Sequence, residues 1–291
     1  MTMRIKRLLL FFILLLSICS FAQDEFDSDP LITFNSTRVI SGHSVEVLPE
    51  KTFEMRIENR FGNITGTNGG VQTMFGLDNL TDMRIALEYG LTKKLMFGFG
   101  RCKGTGAPYR SLLDGFVKYR LFKQVKDSMP LSCAIIGGAT FTYQKASSDI
   151  SNVNHFPRMA HRFAYFSQLN LARRFGKFLS ISLMPTLVHR NYVADNDINT
   201  LLVFGGALRV KLSKKFCLLT EYYHCFNGNE FRQEGYQNSL GVALEWSIFG
   251  YNFTINFINS KGLGEIQFIP YTSANWLDGQ FRMGFCLSRQ F

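Results

Sequence analysis

Past its first two dozen residues, the 291-residue chain has no apolar run approaching the ~20 residues that a membrane-crossing helix needs. A helical membrane protein is excluded on that ground. CxxC and CxxCH are both missing, so no dithiol redox pair and no c-type haem attachment is encoded. The six cysteines fall at no close spacing, and an odd five remain once the leader with Cys19 is removed, which argues against a disulfide framework even in an oxidising compartment. His43 and His189 each lack a second ligand at metal spacing. Gly69-Gly70 and Gly104-Thr105-Gly106 lack the strand-to-helix setting of a phosphate loop. Neither an internal repeat, nor a low-complexity tract, nor a second domain is visible. No metal and no cofactor is expected.

The N-terminus has the form of a secretory leader. Arg4, Lys6 and Arg7 precede the apolar stretch Leu8 to Ile18, and Ser20-Phe21-Ala22 supplies small residues for cleavage before Gln23. A lipid anchor on Cys19 is disfavoured, because Ile18 stands where a small residue is needed. Removing residues 1–22, with three bases and no acid, lowers the net charge from +10 to +7. The remaining bases are scattered and no nucleic-acid-binding motif accompanies them, so nucleic acid is not an expected partner.

The apolar residues, 29 phenylalanines among them, are spread in short runs that alternate with polar ones. Read back from Phe291 in steps of two, Leu287, Phe285, Met283 and Phe281 are apolar, and only Arg289 breaks the row. Successive strand side chains point to opposite faces, so this is a strand with one greasy and one wet face. Twelve segments carry that period, for example Met83, Ile85, Leu87 and Tyr89, or Leu240, Val242, Leu244, Trp246 and Ile248. The third is read as Leu95, Phe97 and Phe99, with a loop over 102–111. Connections alternate long and short, and Tyr, Phe or Trp recur at segment ends, as aromatic girdles require.

These observations predict an all-β fold, a twelve-stranded antiparallel transmembrane β-barrel with short periplasmic turns and long extracellular loops. The expected divisions are a leader at 1–22, a periplasmic segment or plug at 23–50 beginning with Asp24, Glu25, Asp27 and Asp29, and the barrel at 51–291. An aromatic residue closing the last strand makes Phe291 the candidate assembly signal.

Charge gathers on the other face. Glu54, Arg56, Glu58, Arg60, Arg84, Glu88, Asp114, Lys118, Arg120, Arg209, Lys211, Glu221, Glu245 and Arg282 are expected to line the lumen, since a basic side chain at the lipid midplane costs about 2–4 kcal/mol. Interspersed signs favour mutual pairing over a cation-binding or acid–base site. His43 and His189 are the candidate ligand contacts. An outward hydrolase would need His189 beside a serine such as Ser167, a pairing the pattern does not force. The basic inner turns, with Lys93-Lys94 and Arg173-Arg174, are read as solvated.

The segments Arg38-Val39-Ile40-Ser41-Gly42-His43-Ser44-Val45-Glu46, Phe75-Gly76-Leu77-Asp78, Glu88-Tyr89-Gly90-Leu91-Thr92, Gly115 to Leu121 and Pro185 to Asn191, with the C-terminal stretch from Asn259 through Trp276 to Phe291, resemble the uncharacterised membrane-bound beta-barrel domain family of Gram-negative bacteria. The resemblance implies an outer-membrane location and brings no activity or catalytic residues. The reading that follows is a monomer in outer-membrane lipid, placed by the barrel-assembly machinery, that passes or binds a small solute or supports a transport assembly. A closed structural or partner-binding barrel is the alternative, and a hydrolase a remoter one.

Overall fold

A computed structural model describes residues 31–291 apart from 67–68, 105–108, 229–231, 233–234 and 249. The leader, the acidic residues 24–29 and two residues of the Gly104-Thr105-Gly106 loop lie outside the described residues. Twelve strands follow in order: β1 (Phe53–Asn63), β2 (Asp82–Gly90), β3 (Leu95–Gly104), β4 (Ser111–Phe122), β5 (Ser132–Thr142), β6 (Phe163–Phe175), β7 (Leu179–Arg190), β8 (Thr200–Lys211), β9 (Phe216–Cys225), β10 (Ser239–Ile248), β11 (Tyr251–Ile258) and β12 (Arg282–Gln290). Each pairs antiparallel with its neighbours in sequence, and β1 pairs with β12 to close the ring. Closure satisfies every strand edge within one chain, the condition for a sheet to cross lipid.

The two-residue period governs burial. In β7 the inward row from Ser180 to Arg190 is buried while Leu187 on the outward row is exposed. Met55, Ile85, Leu87, Phe97, Phe99 and Val117 are likewise exposed on the outer surface. Aromatic rings mark the turn end of this belt: Phe53 lies 4.4 Å from Tyr89, and Phe216 stacks on Trp246 at 5.9 Å. At the loop end Trp276 stacks on Phe281 at 4.6 Å.

The chain ends on the closing seam. Phe291 N–H donates to Phe53 O at 2.8 Å, and Phe53 N–H donates to Phe291 O at 3.3 Å. Arg289, the break in the apolar row, lies over the Tyr251 ring at 4.8 Å and the Phe291 ring at 4.7 Å, a cation–π arrangement at the rim.

Five connections leave the end that carries Phe53 and Phe291 and six leave the other, where four of the six are longer than any at the first end. β3 departs from the expected boundary: it continues to Gly104, so the linker to β4 covers only 105–110. The cause is that its outward row runs on through Arg101 and Lys103, residues that ended the apolar pattern without ending the strand.

Close packing at the seam depends on Gly284, where a Cβ would stand 2.4 Å from Asn59 O. Gly206 on β8 has nothing within 4 Å of its Cβ position. Gly284→Val should therefore lower stability to urea by about 1–3 kcal/mol through overpacking, while Gly206→Val changes it little. The loss of folded, heat-modifiable barrel on unheated gels across a urea series measures both.

Candidate functional site

Many of the inward charges meet in ion pairs, within a strand, between neighbouring strands or across an intervening one. Arg84 on β2 reaches Glu58 on β1 at 2.6 Å with one guanidinium nitrogen and Asp114 on β4 at 2.6 Å with another. Arg56 contacts Glu54, and its Nε lies 3.5 Å from Glu88 Oε1. Arg209 Nε lies 3.9 Å from Glu245. Arg120 is partly exposed toward the turn end, 3.7 Å from Glu46, and Lys211 is half-buried at the same end. Arg282 donates to Asn63 Oδ1 near the loop end. All fourteen charged residues thus project inward, most of them fully buried.

They are buried because the lumen is filled. Residues 33–46 run through it as a hairpin, closed by Val39 N–H to Gly42 O at 2.9 Å and Ser44 N–H to Thr37 O at 3.0 Å. The tip forms a small anion cradle. The N–H groups of Ile40, Ser41 and Gly42 all donate to the Glu221 carboxylate at 3.1 Å. Successive backbone donors of this kind make a concave anion site, and here the anion is the barrel's own β9 side chain. Gly42 is needed for the approach, since a Cβ there would fall 1.7 Å from Tyr223 Oη.

The rest of the hairpin is held from every side. Lys118 Nζ donates to the carbonyls of Thr37, Ser44 and Glu46 at 2.7, 3.1 and 3.0 Å. Thr37 Oγ1 donates to Glu88 at 2.8 Å, Asn35 Nδ2 to Glu245 at 2.8 Å, and Asn170 Nδ2 to His43 O at 2.6 Å. Arg60 Nη2 donates to Ser41 Oγ at 2.7 Å. His43 lies between Phe116, with ring centroids 4.3 Å apart, and Phe166, at 5.9 Å. Gly98 and Gly138 make room for those two rings, for a Cβ at either would stand 2.3 or 2.2 Å from them.

A second insert enters from the opposite end. The β11–β12 loop folds inward, with residues 262–270 buried, and carries the short helix α1 (Glu265–Phe268). The two inserts meet where Arg38 Nη1 donates to Glu265 Oε1 at 2.9 Å, with His43 Nε2 3.4 Å from the same oxygen. Gln267 fastens the loop to the rim, donating from Nε2 to Tyr109 O at 2.8 Å. Above it Arg190 pairs with Asp197 at 2.8 Å and lies 5.1 Å from the Tyr271 ring.

The two candidate histidines do not share a site. His43 is in the plug, and His189 is on the outward row of β7, where Nδ1 lies 2.8 Å from Thr200 Oγ1. Ser167 faces Leu187 across the ladder, with Tyr165 opposite His189, so serine and histidine are not cross-strand partners. Residues 31–48 left little mark in the pattern beyond Gly42, because an irregular hairpin has no fixed period. The inward fold of the β11–β12 loop had no sequence signal beyond its Gly262 and Gly264 beside apolar Leu263 and Ile266.

A closed strand ring with a lipid-facing belt and a polar interior defines a membrane-spanning β-barrel. Residues 34–291 match the membrane bound beta barrel domain family, and the chain belongs to it, in the outer membrane. Among solved structures it is similar to the NanC porin, at 10% identity and a TM-score of 0.46 over 82% of this chain and 98% of that one. It is similar to the KdgM porin in complex with disordered oligogalacturonate, at 9% identity and a TM-score of 0.47 over 82% and 98%. The outer membrane protein Omp33 of Acinetobacter baumannii is a third, at 9% identity and 0.44 over 83% and 99%. Among curated proteins none matches the chain.

Two predictions follow from the pairing. Arg84→Met strands two buried carboxylates, and should cost about 3–5 kcal/mol in urea unfolding, whereas adding Glu58→Gln and Asp114→Asn should recover part of the loss. Burial, and next the Arg38 guanidinium, hold the His43 pKa well below 6.5. Its neutral form is thus the docked one. The released hairpin takes up a proton more readily, so docking is at full strength above about pH 6.5 and weakens as pH falls, by up to ~1.4 kcal/mol per unit. The protection factors of residues 33–46, taken relative to the intrinsic exchange rate at each pH, should fall between pH 7 and 5 in the native protein and fall less in His43→Gln. Glu265, raised chiefly by burial, titrates with the opposite sign, so the comparison with the variant isolates His43.

Proposed function

We propose that this protein is a solute channel of the outer membrane held shut from within by residues 31–48 and the β11–β12 loop. The observation that carries the reading is the Arg38–Glu265 contact at 2.9 Å, which latches the two inserts together inside the ring. Glu88, Lys118, Asn170, Glu221 and Glu245 hydrogen-bond the hairpin while Phe116 and Phe166 pack on His43, and the polar part of that wall accepts water once the insert withdraws. Twelve strands enclose a modest lumen, which suits a small polar solute. The closed ring needs no second copy to pair its strand edges, which supports a monomer, and the place of Phe291 on the closing seam supports its reading as the assembly signal.

A permanently closed barrel that binds a partner is favoured by one specific observation, the density of bonds around the hairpin. Conductance separates the two. In planar bilayers the full chain should be silent, Arg38→Ala/Glu265→Ala should flicker, and deletion of 31–48 should give sustained steps. A barrel lacking 31–48 and also shortened across 261–275, folded yet still silent, would exclude the channel reading.

A further inference from the structure

Lipid-facing rows should carry no charge, and among the described strand residues the basic exceptions fall in two groups. Arg173 on β6 and Arg289 on β12 lie at the turn end. Arg101 and Lys103 occupy successive outward positions at the loop end of β3, both exposed. Arg101 is flanked on this face by apolar Ile85 and Leu113. Its Nε donates to Tyr143 Oη at 2.9 Å, which turns the guanidinium toward the rim.

Beside it is a recess of about 450 Å³ lined by Lys103, Arg110, Ser111, Gln144, Lys145 and Asn154, together with Gly104. Three of these side chains are cationic and none is acidic. Gln144 Oε1 accepts the Arg110 N–H at 2.9 Å, and Arg162 donates to the carbonyls of Thr142 and Gln144 at 3.1 and 2.7 Å, so the wall of the recess is fixed before any ligand arrives.

We propose that this rim of β3 to β5 binds the phosphate-bearing head group of an outer-leaflet glycolipid, with Arg101, Lys103, Arg110 and Lys145 as its contacts. Residues two apart on one strand face present their charges about 7 Å apart along it, a spacing that two phosphates or one phosphate and its sugar can bridge. The lipid source follows from Arg101. It belongs to the lipid-facing row, between apolar neighbours, so a ligand that reaches both it and the recess straddles the bilayer surface. Basic clusters at membrane level recognise anionic head groups in this way. The site is on the outer wall and is independent of whether the lumen conducts.

Native mass spectrometry of the full barrel in neutral detergent tests it, with diphosphoryl lipid A as the probe. The native protein should retain the lipid, and Arg101→Gln/Lys103→Gln/Lys145→Gln should weaken binding at least about tenfold. A turn-end control, Lys93→Gln/Lys94→Gln/Lys215→Gln, should bind as the native protein does, and fully dephosphorylated lipid A should not be retained. Lys103→Glu/Lys145→Glu, which leaves Arg101 in place, gives a second reading should the triple variant fail to fold on unheated gels. Equal retention by the β3–β5 variants and the turn-end control, retention of the dephosphorylated lipid, or displacement by inorganic phosphate at comparable affinity would overturn the proposal.

Discussion

Glu221 sets the terms for the interior. A carboxylate buried in a strand ring needs strong partners, because leaving one without them costs several kcal/mol. Here the partners are backbone N–H groups of Ile40, Ser41 and Gly42, brought from outside the barrel wall by the chain's own N-terminal segment. The same logic repeats around the ring. Lys118 finds three carbonyls of the hairpin, Glu88 finds Thr37, and Glu245 finds Asn35. The hairpin is therefore part of the electrostatic structure of the lumen, and removing it leaves those groups to be satisfied by water.

That dependence links stability to function. Wall-to-wall pairs such as Arg84 with Glu58 and Asp114 need nothing from the hairpin and would keep the ring intact in its absence. Groups that face the hairpin would instead line an aqueous path. Two classes of buried charge thus coexist, one holding the barrel and one holding its contents. His43 sits where both inserts meet, packed against Phe116 and beside Arg38 and Glu265, so its protonation bears on the latch more than on the wall.

Much of this was legible in the sequence, and the boundary of legibility is physical. Period two located all twelve strands and placed Glu54, Arg56, Glu58 and Arg60 on the inward face, because in a barrel one face must meet lipid and the other must not. Arg289 at the end of the last strand was legible for the same reason. The plug was legible only as one of two alternatives for residues 23–50 and its hairpin form was not, since Thr37 to Ser44 bonds partly to itself and partly to the lumen wall and leaves no periodic trace. The partners of Gly42 and Gly98 are rings distant in sequence, Tyr223 and Phe116, which no local pattern joins. Arg101 and Lys103 lie past the last apolar outward residue, Phe99, so an apolar period alone ends β3 too early. Charge on the outer row marks the membrane surface, where the strand continues.

The central claim is that the hairpin is anchored in the lumen by the Glu221 carboxylate. Hydrogen exchange of the peptide covering residues 38–46, in the intact barrel and in Glu221→Ala, tests it most directly. The account predicts strand-like protection in the native protein and its loss at Ile40, Ser41 and Gly42 in the variant, with the β-strands still protected. Exchange at free-chain rates in the native protein, or unchanged protection in the variant, would contradict it.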